Sequence, residues 1–589
     1  MSRHARSLAL TVFVAVALLL AVITAAITET VTAASCGSGA KPRHMFAGIW
    51  LALSGDPSVF ATAGDCVLPV TLIRVLDLLA ALALLLALIA GLMIVVRYRQ
   101  SDHYFVTQLR ARNGFASRSE VRKHMSARAM LQRASFLRPG LTSPRPTDVG
   151  WRVGRSGGLD VFVSIEDSLA LEGPPRSGKG FRVLISAILD WAGPLITTST
   201  TTDNLTATMH LRAQRGRVYV FDPQGLSGVR GRVRIDPIAG CEDPLVAMQR
   251  GTAIVTGTAL GASSTNQEWA QAAGTILARL LHAAAVGRRT VADLYNWGST
   301  PGLAQAAVDI LRADGAPGWG ESLDAILSGD EKLLSNTWFG VQGAVAPLAI
   351  PAIRESLIPS PGEPTFDADE FLAGENTLYL LGSASGAGAM GGFLSAILDD
   401  IVEVARRKAL ASPNARLQLP LGLILDEIAN MFRWAGLPRI MADGGGRGIC
   451  TFVVLQALSQ AETAWSRAEA DTIWAAATAK VLLGGASQVA HLRDIEALLG
   501  QRERTRESLS WSTAHAGVNS SEQHERLPLM SVDEIRRMPQ SMGLLAYRNR
   551  RGVLLDLAGW DERADAGDIR RGKATAQAEQ LEVFQERAR

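Results

Sequence analysis

The amino-acid sequence predicts an α/β protein with a parallel sheet, a stretch of helical patterning between its motifs, and two apolar helices ahead of both. Three observations predict it. Apolar runs ending in polar or acidic residues alternate with helical stretches, a glycine-rich loop joins one such run to a helix, and two long uncharged segments lie near the N-terminus. Strand, helix, strand at this spacing is what parallel pairing with right-handed crossovers requires. At 589 residues the chain exceeds what one core supports, so two or three domains are expected.

The N-terminal elements come first. Residues 7–28 and 78–96 carry no charge, and each run is long enough to cross a hydrocarbon layer of about 30 Å as a helix. The first could be a cleaved signal peptide, since Arg3 and Arg6 precede it and small residues follow at Thr24 to Ala26. Its length, the second run behind it, and basic residues on one side of both favour two retained spans. Arg3 and Arg6 flank the first; Arg97, Arg99, Arg110 and Arg112 follow the second. The positive-inside rule then puts both termini in the cytoplasm of a bacterial inner membrane, with residues 29–77 outside and 1–100 as the anchor. Cys36 and Cys66 fall in that outer loop, where an oxidising compartment favours a disulfide over two loose thiols. Cys241 and Cys450 are expected to stay reduced, and no metal-ligand spacing links them to histidines.

The formal net charge of +3 excludes a surface built throughout to neutralise nucleic acid. Residues 97–138 nevertheless hold ten Lys or Arg against Asp102 and Glu120, a balance of +8, so the remainder sums to −5. This basic juxtamembrane stretch, within a linker at 101–150, reads first as a partner of anionic lipid headgroups and second as a DNA contact.

After the linker, strand, turn and helix enclose Gly173, Pro174, Pro175, Arg176, Ser177, Gly178, Lys179 and Gly180, the G-x-x-x-x-G-K part of a phosphate-binding loop. Such glycines let backbone N–H groups turn toward phosphates, and the lysine ammonium reaches the terminal oxygens. The implied ligand is ATP with Mg²⁺. Gly180 stands where Ser or Thr normally offers a hydroxyl to the metal, so metal binding must lean on water and on a second acidic motif. The plainer alternative is an ordinary glycine turn with a chance lysine.

That acidic motif follows a continuous apolar strand from Leu419 to Leu425, which ends in Asp426 and Glu427. Asp426 would hold the Mg²⁺ water shell and Glu427 would polarise the attacking water. An acidic pair at a helix start reads equally well as a dipole arrangement, and only the phosphate loop in the same chain tips the balance. The next apolar run, Cys450 to Leu455, ends in Gln456, either a sensor of the γ-phosphate or a strand-end cap. Arg447, on the glycine turn before it, is a candidate arginine finger reaching a neighbouring subunit, or a solvated surface arginine; Arg439 and Arg493 compete for the role.

In this order GPPRSGKG, TTSTTTDNL, VFDPQG, LDEIANMFRWAGLPRIMADGGGRGI, VVLQALSQ, ATAKVLLGGAS with LRDIEALLG, and RLPLMSVDEIRRMP resemble the type IV secretion coupling proteins, the TraG-like ATPases of conjugative DNA transfer. The likeness spans residues 150–560. It implies a RecA-like P-loop domain at 151–239 and 346–560, an all-α domain inserted at 240–345, and a homohexameric ring at the cytoplasmic face of the membrane. Its implied partners are relaxase-bound DNA, effector proteins and channel components of the secretion system. The helical periodicity of NQEWAQAAGTILARLLHAAAVG fits the inserted domain. The polar stretch TRESLSWSTAHAGVNSSEQHE reads as a loop, and residues 561–589 as a charged helix or tail. Two rivals stay open: a septum-type chromosome translocase, disfavoured because the C-terminal residues show no winged-helix reader, and a nucleotide-binding substrate receptor that hydrolyses little, motivated by Gly180.

Overall fold

In the computed structural model the described residues are 3–36, 41–42, 46–56, 58, 60–61, 69–359, 366–511 and 518–589. They form two compact units, Met1–Ala111 and Arg112–Arg589.

The first unit holds two long helices, Arg3–Cys36 and Val70–Gln100, and a short one, Ala47–Ser54. Within them Val14–Ser35 and Val70–Gln100 are long and apolar enough to cross a membrane. Leu78, Leu79, Leu92 and Ile94 point outward, an arrangement that water penalises and lipid does not. Both helices outrun the apolar segments read from sequence, because helical hydrogen bonding continues into the flanking polar turns. The Cys36 side chain and Cys66 lie outside the described residues, and so does their pairing.

The second unit is organised by an eleven-stranded sheet. In chain order its strands are β1 (Gly150–Ser156), β2 (Leu159–Ser164), β3 (Leu169–Glu172), β4 (Leu195–Ser199), β5 (Val218–Phe221), β6 (Thr377–Leu381), β7 (Leu421–Asp426), β8 (Ile449–Leu455) and β9 (Ala479–Leu483). After a separate hairpin, β10 (Gln501–Trp511) with β11 (Val518–Pro528), come β12 (Met542–Tyr547) and β13 (Val553–Asp556). The spatial order is β2-β1-β13-β12-β9-β3-β8-β7-β4-β6-β5. From β9 to β5 every pairing is parallel; from β9 to β2 every pairing is antiparallel. Every residue of β3, β7 and β8 is buried, so these strands show no alternation: both faces are covered.

One face is covered by helices between β5 and β6 together with the helix Ala384–Leu410. Their apolar residues form one continuous core with Leu421, Leu423 and Val453 of the sheet. Within this insertion Gln267–Val286 crosses Pro244–Thr256 so closely that a Cβ on Gly251 would meet the Ala278 backbone nitrogen at 2.6 Å, so only glycine fits. Trp338, 1% exposed, fills the space beside it and donates its indole N–H to the Gly298 carbonyl at 2.8 Å. Replacing Trp338 by alanine should cost about 3–5 kcal/mol, read as a lower thermal midpoint for the unit Arg112–Arg589.

The opposite face carries a second core, in which Trp191 stacks on Trp151 and Phe452 meets Trp151 edge-on. Short helices at Arg118–His124, Ala127–Leu131 and Ala134–Leu137 contribute Val121, Met130 and Leu137 to it, while Arg122, Lys123 and Arg128 face out. The basic stretch is therefore folded here, one side apolar and one side charged.

One segment departs from expectation. The polar stretch after Gly500 is not a loop: β10 and β11 pair in register from Gln501↔Pro528 to Trp511↔Val518. The C-terminal residues form a helix, Ala566–Ala588, that packs along the helix Asp203–Ala213, with Ile569 buried beside Ala207.

At its start the unit is clamped to the helix Val532–Arg536. The Arg112 guanidinium forks onto both oxygens of Glu534, whose carboxylate also accepts the Ser531 N–H at 2.9 Å. Burial opposes ionisation of Glu534, but the bonds from Arg112 and Ser531 prevail and hold its carboxyl down at about 2. A carboxyl lowered in the folded state adds stability above its unfolded value of about 4.5 and loses it as pH falls toward about 2. Glu534→Gln should therefore lower the thermal midpoint at pH 7, and the gap to wild type should close as pH drops through that window.

Candidate nucleotide site

The carboxyl ends of β3, β4, β7 and β8 converge, and in open parallel sheets that edge is where ligands bind. β3 runs straight into the glycine loop, whose Gly173 N–H donates to the Leu455 carbonyl of β8 at 3.0 Å. A Cβ on Gly173 would stand 2.7 Å from the Ser177 Oγ, leaving no room for a side chain. Gly178, at φ +85°, reverses the chain so that the loop enters the helical turn Gly180–Leu184 and the helix Ile185–Asp190. The result is a turn of backbone amides at a helix start, an arrangement that attracts anions.

Lys179 reaches across this edge. Its Nζ lies 3.5 Å from Oε1 of Glu427, the residue after β7. Glu427 is held in the left-handed region at φ +54°, costly for a residue with a side chain. That backbone turn lifts its carboxylate out of the strand toward the loop. There Oε1 also accepts the Gln456 amide at 2.9 Å, and Oε2 accepts the Thr200 hydroxyl. Gln456 is steadied by Gln460, which donates to its Oε1 at 3.1 Å.

Asp426, the last residue of β7, is 5% exposed. Its backbone carbonyl accepts the Thr198 hydroxyl at 2.8 Å, and its Oδ2 accepts the Asn204 amide at 3.1 Å. Burial pushes its carboxyl up to about 7, against the pull of Lys179 and with a further push from Glu427. Its Oδ1 is buried without a partner. An unsatisfied carboxylate oxygen in such a place is the mark of a group that accepts a cation or water on binding. A Mg²⁺ ion therefore fits the donor set, with Asp426 Oδ1 available to it and no hydroxyl at position 180.

Lys179, Asp426, Glu427 and Gln456 are thus brought together as their residue types suggested. Arg447 is elsewhere. It lies at the start of β8, whereas Gln456 follows its end, and seven strand residues place the two about 23 Å apart. Its side chain is half-exposed and has no partner among the described residues. Arg439 approaches Asp443 at 3.9 Å, and Arg493 is exposed on the helix Val489–Leu499. Asp222 is occupied within its own turn, accepting the N–H groups of Leu226 and Ser227 at 2.9 and 2.7 Å. Cys241 and Cys450 are buried free thiols, each pushed up to about 12 by burial.

Thr200 and Asn204 were not singled out by sequence. Their signal was the hydroxyl-rich end of the run after Gly193, whose meaning depends on residues more than 200 positions away.

The arrangement has known counterparts. Residues 420–540 match the family model for the "TraM recognition site of TraD and TraG". The bacterial conjugative coupling protein TrwB, in an unbound form lacking its N-terminal segment, superposes with a TM-score of 0.53 at 17% identity, covering 69% of this chain and 88% of that one. TrwB in complex with the non-hydrolysable ATP analogue ADPNP matches at 0.52 and 16% identity, over 69% and 89%. TrwB with ADP and Mg²⁺ matches at 0.51 and 17%, over 69% and 88%. No curated protein sequence matches the chain.

The described residues thus combine a parallel-dominated α/β sheet, a glycine loop and an acidic strand end at one of its edges, helices inserted between β5 and β6, and two long apolar helices earlier in the chain. Residues 420–540 match the TraD/TraG family segment, and the fold around them is similar to that of the conjugative coupling protein TrwB.

Proposed function

We propose that the chain is a membrane-anchored ATPase that couples ATP hydrolysis to delivery of relaxase-bound DNA, or of protein substrate, into a type IV secretion channel. The observation that carries the reading is the meeting of Lys179, Glu427, Gln456 and Thr200 at the mouth of the glycine loop, with Asp426 behind them. A structural ion pair needs only Lys179 and Glu427. A motor needs in addition an amide and a hydroxyl aimed at the same carboxylate, to hold the water that Glu427 polarises.

In this account the loop amides and Lys179 take the β- and γ-phosphates, and Lys179 leaves Glu427 as they arrive. Glu427, freed, orients the attacking water, and Gln456 and Thr200 fix its carboxylate. Magnesium supplies charge neutralisation at the phosphate oxygens when bound. Asp426 and water would hold it.

The helices Val14–Ser35 and Val70–Gln100 serve as a two-pass anchor with both termini cytoplasmic, and Cys36 bonds Cys66 on the far side. The chain acts as a homohexamer in which Arg447, on the end of the sheet away from its own site, serves a neighbour's nucleotide. The DNA assignment draws on the likeness to a conjugative coupling protein and on the family description, since net charge offers it no support.

The test is phosphate release by the purified full-length chain in lipid nanodiscs, with and without single- or double-stranded DNA. Stimulation by DNA is expected. Turnover indifferent to DNA but raised by a secreted protein substrate would move the cargo assignment to protein.

A further inference from the structure

The unexplained feature of the site is Gly180, which offers no hydroxyl where the phosphate-loop pattern has one. The space beside it is not empty. A Cβ at Gly180 would meet one heavy atom within 4 Å, the Asn204 Oδ1 at 3.3 Å. Asn204 enters from the first turn of the helix Asp203–Ala213, is 5% exposed, and donates its Nδ2–H to Asp426 Oδ2 at 3.1 Å. That donation fixes which way the amide faces: nitrogen toward the acidic strand end, oxygen toward the glycine loop. Oδ1 accepts no hydrogen bond among the described residues. Asp426 Oδ1, on the same carboxylate that Asn204 holds, is buried and without a partner.

We infer that Asn204 takes over the metal-holding task of the missing hydroxyl. Its side-chain oxygen, beside Gly180, is the neutral oxygen donor for Mg²⁺, and its amide nitrogen orients Asp426 as the acidic one. Amide oxygens and carboxylates are the hard donors this cation prefers. The absence of a side chain at 180 is then a requirement, because a serine there would compete with Asn204 for one position. This deepens the reading of the site as an ATP·Mg²⁺ site and rests on it.

The experiment measures binding of a fluorescent ATP analogue to the full-length chain in nanodiscs, with excess Mg²⁺ and with EDTA. It uses wild type, Lys179→Ala, Asn204→Ala and the double variant Asn204→Ala with Gly180→Ser. Titration of Mn²⁺ by its electron paramagnetic resonance signal in the presence of ADP runs alongside. Lys179→Ala should weaken binding with and without metal. Asn204→Ala should bind as wild type does in EDTA, which also shows that the site is folded, and lose the gain that Mg²⁺ confers. Its Mn²⁺ affinity should fall about 10- to 100-fold. Adding Gly180→Ser should restore the metal response by returning the hydroxyl to its usual place. Full Mg²⁺ enhancement in Asn204→Ala, or a double variant no better than the single one, would overturn the inference. Absence of nucleotide binding by wild type in both conditions would sink the ATP reading beneath it.

Discussion

Glu427→Gln should bind ATP as the wild-type chain does and release phosphate about 10²–10⁴-fold more slowly, the usual contribution of a positioned general base. Glutamine keeps the size of the side chain and can still meet Thr200 and Gln456. It cannot take a proton from water. It also ends the ion pair with Lys179, so the unliganded loop no longer has a carboxylate competing for the ammonium, and nucleotide affinity should hold or rise. Parallel titrations of a fluorescent ATP analogue and assays of phosphate release check both halves. Comparable turnover by Glu427→Gln and wild type would remove the catalytic role and leave an ion pair.

Lys179→Ala should act one step earlier. A charge-assisted contact of this kind is worth about 1.5–3 kcal/mol, or roughly 10- to 150-fold in affinity. Glu427 would then stand without its counter-charge beside an anion, which adds repulsion to the lost attraction. Nucleotide binding should fail first, and hydrolysis with it. The two variants therefore separate binding from chemistry: Lys179→Ala loses both, Glu427→Gln only the second.

How far the sequence foretold this follows from the reach of each signal. The strands β7 and β8 were legible because they are buried on both faces and end in polar residues that the core cannot accept, Asp426, Glu427 and Gln456. The glycine loop was legible because its conformation demands glycine at Gly173 and Gly178, a local constraint. By contrast β6, Thr377 and four apolar residues before a helix, carries no periodicity that distinguishes strand from buried helix, and it went unread. The β10–β11 hairpin, with sequences QRERTRESLSW and VNSSEQHERLP, is mostly polar and lies outside the main sheet. Its backbone bonds leave no apolar trace. Asn204 was invisible for another reason: its task is defined by what residue 180 lacks and by a carboxylate 222 positions along, a relation that exists only after folding. Arg447 shows the converse. Its residue type fitted a role, and the fold put it at the far end of its strand from the glycine loop.

Where ATP sits decides whether Lys179 and Glu427 form a nucleotide site. A structure of the full-length chain with a non-hydrolysable ATP analogue and Mg²⁺ should place the phosphates in the turn Gly173–Gly180, with Lys179 Nζ moved from Glu427 onto a phosphate oxygen. Glu427 should still be held by Gln456. Nucleotide bound elsewhere, with the Lys179 to Glu427 pair intact at about its present 3.5 Å, would contradict a nucleotide site there.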